Sequence, residues 1–274
     1  MELLQAIALA LVQGVTAWIP VSSKTQVVLA GTAFFAIPFK TCLAYALLLH
    51  LGDLLAALWK YRREYAGALL QFKKPAALVE FDRHPEEKFL ITSIAATAIV
   101  ALPLYLILRK AFAGLQGELL LAAVGALLLA MAAVTLFSRR KNAVGAAAPV
   151  TLKTAIATGF AQGLAVVPGV SRSGITQCAL LLQGIPPEKA VRLSFLMAAP
   201  MIAAAFAAFW LVEGFEGFGA VEIIAGIAVS AVASLLTMDF VTKIARKLPS
   251  HAFLAAVGLL ALVPLALKLA GAAG

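Results

Sequence analysis

The sequence has little charge. Only 13% of its 274 residues are Asp, Glu, Lys or Arg, whereas soluble domains have about a quarter. Hydrophobic residues make up 63% of the chain. The apolar and polar residues do not alternate with the period of a strand, which argues against a membrane β-barrel. We therefore predict an all-α polytopic membrane protein and expect no nucleic-acid partner.

Residues that commonly bind metals or form disulfides are also scarce. The two cysteines, Cys42 and Cys178, lie in apolar stretches, so buried thiols are favoured over a disulfide or a metal site. The three histidines are scattered and do not have the spacing of metal ligands. The net charge of +9 is mostly attributed to the basic loops that any membrane protein keeps on its cytoplasmic side.

Long apolar runs are abundant. A membrane-spanning helix needs about 20 apolar residues. Candidate spans are 41–59, 89–108, 118–137, 190–212, 221–242 and 252–269. Two further apolar regions, 1–37 and 153–183, are interrupted by Pro20 and by Pro168. Each is long enough for a re-entrant hairpin, in which two short helices enter the membrane and return.

The basic residues predict the orientation. They concentrate in 60–88, 138–152 and 243–251, and the positive-inside rule places these loops in the cytoplasm and the N-terminus outside. Each half of the chain then has one hairpin and three spans, and the odd number of crossings inverts the second half. We therefore predict two inverted-topology repeats, 1–137 and 153–274, joined by the linker 138–152.

One polar stretch stands out within the second hairpin. Between Pro168 and Gln177 there are two glycines, two serines, a threonine and an arginine. Lipid does not tolerate such a segment as an exposed loop, so it lies outside the membrane or lines a protected cavity. A serine here can cap a helix, whose N-terminus binds anions, and Arg172 adds a cation that matches phosphate. A structural break with a snorkelling arginine is the alternative. A weaker copy of the stretch occurs at 12–26.

These segments resemble a known family. Gln13-Gly14 followed by Pro20-Val-Ser-Ser resembles the first signature of the undecaprenyl-diphosphate phosphatase (bacitracin-resistance) family, and Pro168-Gly-Val-Ser-Arg-Ser-Gly-Ile-Thr176 resembles its second. Supporting matches are His50-Leu-Gly-Asp-Leu-Leu-Ala56 and Arg192-Leu-Ser-Phe-Leu-Met-Ala-Ala-Pro200. The resemblance covers nearly the whole chain. It implies a membrane enzyme of two interlocked inverted repeats that removes the terminal phosphate of a polyprenyl diphosphate and leaves the monophosphate carrier lipid.

The resemblance also assigns residues, with two departures. The family serine maps to Ser23 and the family arginine to Arg172, whereas Ala17 stands where the family has Glu and Gln26 where it has His. A divalent cation, Mg²⁺ or Ca²⁺, is implied, but its ligands here are uncertain. Three explanations of Ala17 remain open. It inactivates an enzyme, or the site is rewired around Ser23, or the chain binds or moves lipid phosphate without hydrolysis.

The sequence therefore yields a set of candidate site residues. Ser23 and Arg172 are the expected catalytic residues. The expected phosphate-binding residues are Ser22, Lys24, Ser171, Ser173, Gly174 and Thr176, and the expected polar lining is Gln13, Gln26, Gln162 and Asp53, with Ala17 at the position of the missing acid. The expected partners are a polyprenyl diphosphate or phosphate and the lipids of the plasma membrane, and a homodimer is left open. The alternative function is a non-hydrolytic lipid-phosphate binding protein or flippase.

Overall fold

The computed structural model describes residues 1–19, 23–72, 85–111, 148–166, 170–212 and 217–249, with single residues inside 126–133 and 252–262. Its α-helices are α1 (Leu3–Thr16), α2 (Ser23–Phe35), α3 (Phe39–Lys60), α4 (Arg62–Phe72), α5 (Pro85–Ala111), α6 (Leu152–Gly163), α7 (Arg172–Leu182), α8 (Pro187–Leu196), α9 (Ala198–Val212) and α10 (Ala220–Lys247). A short 3₁₀ turn, Leu164–Val166, follows α6. The described residues contain no strand, which confirms the all-helical prediction.

Four apolar helices are long enough to cross a membrane. They are Phe39–Lys60, Pro85–Ile107, Pro187–Ala208 and Ala220–Lys247. Their positions coincide with four of the six predicted spans. The predicted span 190–212 is divided into α8 and α9, which meet at Met197. The other two predicted spans, 118–137 and 252–269, and most of the linker 138–152 lie outside the described residues.

The polarity of the fold is that of a protein in lipid. Large apolar side chains point outward along the long helices, including Leu102 (62% exposed) and Leu236 (67% exposed). Polar side chains such as Gln13, Asp53 and Thr97 are fully or almost fully buried. Lipid satisfies apolar surface but offers no hydrogen-bond partner, so polar groups in a membrane must pair with one another inside the protein. This arrangement supports membrane insertion.

The two predicted hairpins pack in a reciprocal way. In the first, α1 packs against α2 and, more extensively, against α10 near the end of the chain. In the second, α6 packs against α7 and, more extensively, against α5 of the first half. Glycines permit both close contacts, because a Cβ on Gly14 would lie 2.6 Å from the Ser230 carbonyl and one on Gly159 would lie 2.4 Å from the Ser93 carbonyl. Each hairpin is thereby held by a long helix of the opposite half.

Candidate active site

The second hairpin contributes a capped helix N-terminus. Ser171 has an extended backbone and begins α7, and its Oγ accepts a hydrogen bond from the Gly174 N–H at 3.3 Å. The hydroxyls of Ser171 and Ser173 lie 3.2 Å apart. Ser173 Oγ also donates to the carbonyl of Ile19 at 3.3 Å. This last bond joins the two hairpins, so that the positive end of α7 faces the break in the first hairpin.

Arg172 projects from the first turn of α7 and is held from two sides. One guanidinium nitrogen, Nη1, donates to the Ser194 carbonyl at 3.0 Å. The guanidinium carbon lies 5.7 Å from the ring centroid of Trp18, within range of a cation–π contact. Trp18 itself packs edge-on against Phe195, with ring centroids 4.9 Å apart. The guanidinium is thus fixed with N–H groups left over for an anion.

The helix that provides the Ser194 carbonyl is itself anchored. The Tyr65 hydroxyl donates to the Leu196 carbonyl at 2.8 Å. Burial raises the pKa of Tyr65, so that this hydroxyl keeps its proton and remains a donor. On the same helix, Arg192 pairs with Glu64 at 2.5 Å and with Glu86 at 3.0 Å. These contacts fix α8 against α4 and α5 and keep Ser194 opposite Arg172.

The first hairpin contributes a serine at the start of α2. Ser23 is the first residue of that helix and is buried. Its Oγ accepts a hydrogen bond from Gln13 Nε2 at 3.1 Å. Gln13 is completely buried on α1, and the same amide nitrogen donates to Asp53 Oδ2 at 2.6 Å. The glutamine therefore connects the serine to a carboxylate on α3.

Asp53 lies at the centre of a buried polar cluster. Its Oδ1 accepts hydrogen bonds from Ser230 at 3.1 Å and from Ser234 at 2.6 Å, both on α10. Its Oδ2 lies 2.7 Å from Nδ1 of His50, one turn earlier on α3. Asp53 is completely buried, whereas 19% of the His50 side chain is exposed. Side chains of α1, α3 and α10 therefore contact one carboxylate, and the His50 imidazole beside it lines a cavity.

The cavity lies between the two hairpins, α3 and α9. Its volume is about 130 Å³. Its polar wall is formed by Ser23, Lys24, His50, Asp53, Ser171, Arg172 and Ser173, and its apolar wall by residues that include Leu47, Met201, Ile202, Ala205 and Phe206. A small, highly charged group with an apolar tail matches this division.

Most of the sequence-predicted residues converge here, and some do not. Ser23, Lys24, Asp53, Ser171, Arg172 and Ser173 line the cavity, as does Ala17. Gln13 lies directly behind it. Gln162, in contrast, donates to Thr97 on α5 at 3.1 Å, and the Thr176 hydroxyl lies 2.6 Å from the Ser194 hydroxyl.

Gly174 and Gln26 are likewise not among the cavity-lining residues, and Ser22 lies outside the described part of the chain.

Two residues that line the cavity, His50 and Trp18, were not among the site residues predicted from the sequence. A histidine three residues before an aspartate on an apolar helix was the available signal for His50. The signal for Trp18 was weaker: it is an aromatic residue two positions before Pro20, which interrupts the first apolar region. Its buried indole N–H has no partner in the described part of the chain.

The donor set does not fit a divalent cation held by the protein. The described residues contain no group of three His, Cys, Asp or Glu side chains that could hold one. Asp53 is the carboxylate that lines the cavity, and both of its oxygens already accept hydrogen bonds. The other ionisable groups in the described walls are the basic side chains of Lys24, His50 and Arg172, which add no second carboxylate. The cation implied by the resemblance therefore has no protein ligand set among the described residues.

Comparison with known proteins identifies the family. A family model described as Bacitracin resistance protein BacA matches residues 6–263. A protein of Haloarcula marismortui named undecaprenyl-diphosphatase is 38% identical over 95% of this chain and 96% of its own length. Proteins with the same name from Methanopyrus kandleri and Methanothrix thermoacetophila are 33% and 30% identical, and each alignment covers at least 97% of both chains. The chain belongs to the Bacitracin resistance protein BacA family.

Proposed function

We propose that this protein is an integral membrane phosphatase that removes the terminal phosphate of undecaprenyl diphosphate, or of a closely related polyprenyl diphosphate, and yields the lipid monophosphate. One observation carries the proposal. A serine at the start of α2 and an arginine at the capped N-terminus of α7 line the same small cavity within an apolar fold. The relatives that share the whole length of the chain are named undecaprenyl-diphosphatase.

The polar wall is suited to a diphosphate. Arg172 offers a planar fork of N–H donors, and Lys24 adds a second cation. The N-terminus of α7 provides a positive dipole end and free N–H groups next to Ser171. The terminal phosphate would lie against α7, with its negative charge shared between Arg172 and Lys24. Such fixed positive charge stabilises the extra negative charge on the transferring phosphoryl group.

Ser23 is the proposed nucleophile. Its oxygen attacks the terminal phosphorus, the bond to the bridging oxygen breaks, and the lipid monophosphate leaves with the bonding electrons. Water then attacks the phosphoserine, which releases inorganic phosphate and restores the hydroxyl. Gln13, which donates to Ser23 Oγ at 3.1 Å, orients that oxygen. An amide does not take up the serine proton usefully, so the step requires a base.

The apolar wall is suited to the prenyl chain. The residues of α9 that border the cavity are all apolar: Met201, Ile202, Ala205 and Phe206. Ala205 is exposed at the surface of α9, where the membrane would lie. A chain that leaves the cavity along this face would remain in contact with apolar side chains and lipid.

The proposal includes the inverted repeat and its orientation. Gln13-Gly14 on α1 packs against α10, and Gln162-Gly163 on α6 packs against α5. Both pairs bring a buried glutamine and a glycine to the middle helix of the other half, as two copies of one unit related by inversion would. We place the protein in the plasma membrane with its N-terminus outside and the loops 60–88, 138–152 and 243–251 inside.

Phosphate release from undecaprenyl diphosphate by the purified protein in detergent tests the function. We expect release by the protein itself and a loss on the order of 10³-fold or more in Ser23→Ala, because the nucleophile is removed. Thr242→Ala is the matched control, since among the described residues that hydroxyl bonds within α10, to the Met238 carbonyl at 2.7 Å. Retained binding of the lipid monophosphate by Ser23→Ala would show that its site is intact.

Two results would overturn this proposal. One is the absence of phosphate release both by the protein and by Ala17→Glu, in which the family carboxylate is restored to the cavity wall. The other is an unchanged rate in Ser23→Ala. Transfer of lipid phosphate across proteoliposomes without hydrolysis would instead support the flippase alternative, which the names of the relatives do not favour.

A further inference from the structure

The family's acid and histidine are missing from the first hairpin, yet the cavity has both groups. His50 and Asp53 occupy positions i and i+3 of α3 and share one face of that helix. Their Nδ1 and Oδ2 atoms are 2.7 Å apart. The imidazole is partly exposed in the cavity wall, while the carboxylate behind it is completely buried. This pair and the capped end of α7 line the same cavity.

Asp53 is held in one orientation. Ser230 and Ser234 donate to its Oδ1, and Gln13 donates to its Oδ2. Gly52, next to it, permits this contact, because a Cβ there would lie 2.5 Å from the Ile227 carbonyl of α10. With its lone pairs occupied, the carboxylate is poorly placed to take a proton from substrate. It is well placed to fix a neighbouring ring.

The position of Asp53 determines the tautomer of His50. We assign the proton of the neutral ring to Nδ1, which then donates to Oδ2 at 2.7 Å, because the two hydrogens of Gln13 Nε2 are directed to Ser23 and Asp53. The other nitrogen, Nε2, then keeps a free lone pair, and it makes no hydrogen bond within the described part of the chain. Ser23 Oγ and His50 Nδ1 both lie within 3.1 Å of the same atom, Gln13 Nε2. Serine, imidazole and carboxylate are therefore neighbours around one amide.

We propose that His50, oriented by Asp53, is the general base and acid of this protein, in place of the residues that Ala17 and Gln26 have replaced. This inference rests on the proposed phosphatase function. His50 Nε2 takes the proton of Ser23 as the serine oxygen bonds to the terminal phosphorus, and passes it to the oxygen of the lipid monophosphate, which leaves with the electrons of the broken bond. In the second half, the ring, neutral again, takes a proton from the attacking water and gives it to Ser23 Oγ as the bond between that oxygen and phosphorus breaks, so that protons balance over the cycle.

The other groups around the cavity do not suit this role. Lys24 faces it from α2 and Arg172 from α7, and both are needed as cations for the phosphates. The side chains that α9 contributes are apolar, and α10 offers Ser230 and Ser234, which already donate to Asp53. His50 is the group in the described walls that can both accept and return a proton near neutral pH. Asp53 acts through it, as a positioning residue.

Two substitutions of His50 separate catalysis from structure. In His50→Asn the amide can take the place of Nδ1 and donate to Asp53, but no group replaces Nε2. In His50→Gln the longer amide reaches into the cavity instead. If the ring is the general base, both variants lose about 10² to 10⁴-fold in kcat, with binding of the lipid monophosphate within about threefold of the original protein. A purely structural histidine predicts that His50→Asn retains its rate.

The pH profile supplies a second readout. A general base acts in its unprotonated form, so we expect the kcat of the original protein to have a limb that rises with pH, and this rising limb to be absent in both His50 variants. Asp53→Asn should lower kcat at least tenfold and alter the rising limb, because the ring loses its orienting charge. The matched control is Asp239→Asn, whose carboxylate is 63% exposed and pairs with Lys60, and it should behave like the original protein.

The outcomes distinguish this inference from the proposed function. Suppose that the original protein releases phosphate. If His50→Asn then keeps kcat within tenfold of the original protein, or keeps the rising limb of the pH profile, the pair of His50 and Asp53 (the dyad) has only a structural role and the proposed function stands. If the original protein releases no phosphate from any polyprenyl diphosphate, the proposed function fails first. If a His50 variant loses lipid binding, Ser234→Ala probes the dyad instead, because it removes one hydrogen bond to Oδ1 and leaves both members in place. We expect it to lower kcat severalfold, and an unchanged rate and pH profile would overturn the dyad.

Discussion

At the scale of single residues, Arg172 shows why charge alone does not define the site. Its guanidinium uses one N–H for the Ser194 carbonyl and lies over the Trp18 ring. The remaining N–H groups keep a fixed direction toward the cavity. A lysine at this position could supply a positive charge, but it could not donate to Ser194 and to two phosphate oxygens in the same plane.

We therefore expect Arg172→Lys to lower kcat/KM by about 10²-fold or more, with part of the loss in KM, because the bidentate contact to phosphate disappears. Arg246→Lys is the matched control, because that side chain is 67% exposed and pairs with Glu188 at the surface. Steady-state kinetics with undecaprenyl diphosphate would measure both variants. An Arg172→Lys variant with ordinary kinetics would mean that the guanidinium contacts Ser194 only for structural reasons.

Some residues of the site could be predicted from the sequence, and the orientation of others could not. The Ser-Arg-Ser motif and the serine at the start of α2 predicted that the two hairpins share an anion site, and Ser23, Lys24, Ser171, Arg172 and Ser173 do line one cavity. The orientation of His50 could not be predicted in this way. It depends on Asp53, which in turn depends on two serines of α10 that lie far along the chain. No local pattern relates α3 to these serines.

At the scale of elements, the contact of α1 with α10 controls the site. Gly14 faces α10 so closely that an added Cβ would lie 2.6 Å from both the Ser230 carbonyl and the Ala233 Cβ. Neither atom belongs to a flexible side-chain end, so the two helices would have to separate. Gln13 and Ser230, which hold Asp53 from α1 and α10, would then move apart.

Gly14→Ala should therefore destabilise the protein by about 1–3 kcal/mol, as overpacking in a tight core does, and lower kcat as well. Gly67→Ala is the control. Its added Cβ would meet the side chain of Glu87, which can move, and alanine favours the helix. Thermal unfolding in detergent together with phosphate release would measure the difference. Equal melting temperatures for Gly14→Ala and the original protein would contradict the tight contact.

Apolar runs in the sequence were sufficient to predict four membrane-spanning helices, but not how one of them is divided. Four predicted spans coincide with long apolar helices, because about 20 apolar residues are enough to recognise a crossing. The same reasoning did not predict the division of 190–212 at Met197, where α8 ends and α9 begins. Met197 keeps a right-handed helical backbone, with φ −68° and ψ −13°, so the division is a slight one within a single crossing. Apolarity indicates a crossing but not whether it is continuous.

At the scale of the whole molecule, the orientation in the membrane can be tested with cysteines. The native thiols Cys42 and Cys178 are buried, and a background with both changed to Ala would leave no reactive thiol. In that background we expect Glu2→Cys to react with a membrane-impermeant maleimide on intact cells. Arg63→Cys and Lys247→Cys, at exposed positions, should react only after permeabilisation. The positive-inside rule is the reason for this expectation.

The reversed labelling pattern would contradict the orientation but not the fold. Labelling of Arg63→Cys and Lys247→Cys on opposite sides would contradict the predicted topology itself, because the basic ends of α3 and α10 would no longer share a compartment. Expression level and phosphate release of each variant would serve as controls for correct insertion.

The hydrogen bonds from α10 to Asp53 have a consequence for synthesis. Gln13 and Asp53 leave the ribosome early, whereas Ser230 and Ser234 follow much later, roughly ten to forty seconds at about 5–20 residues per second. During that interval the buried carboxylate lacks two of its donors. In the proposed mechanism the nascent first half cannot yet fix Asp53 behind the imidazole, so the pair is complete only once α10 is in place. Membrane insertion of Ala220–Lys247 is in this sense a step of activation as well as of folding.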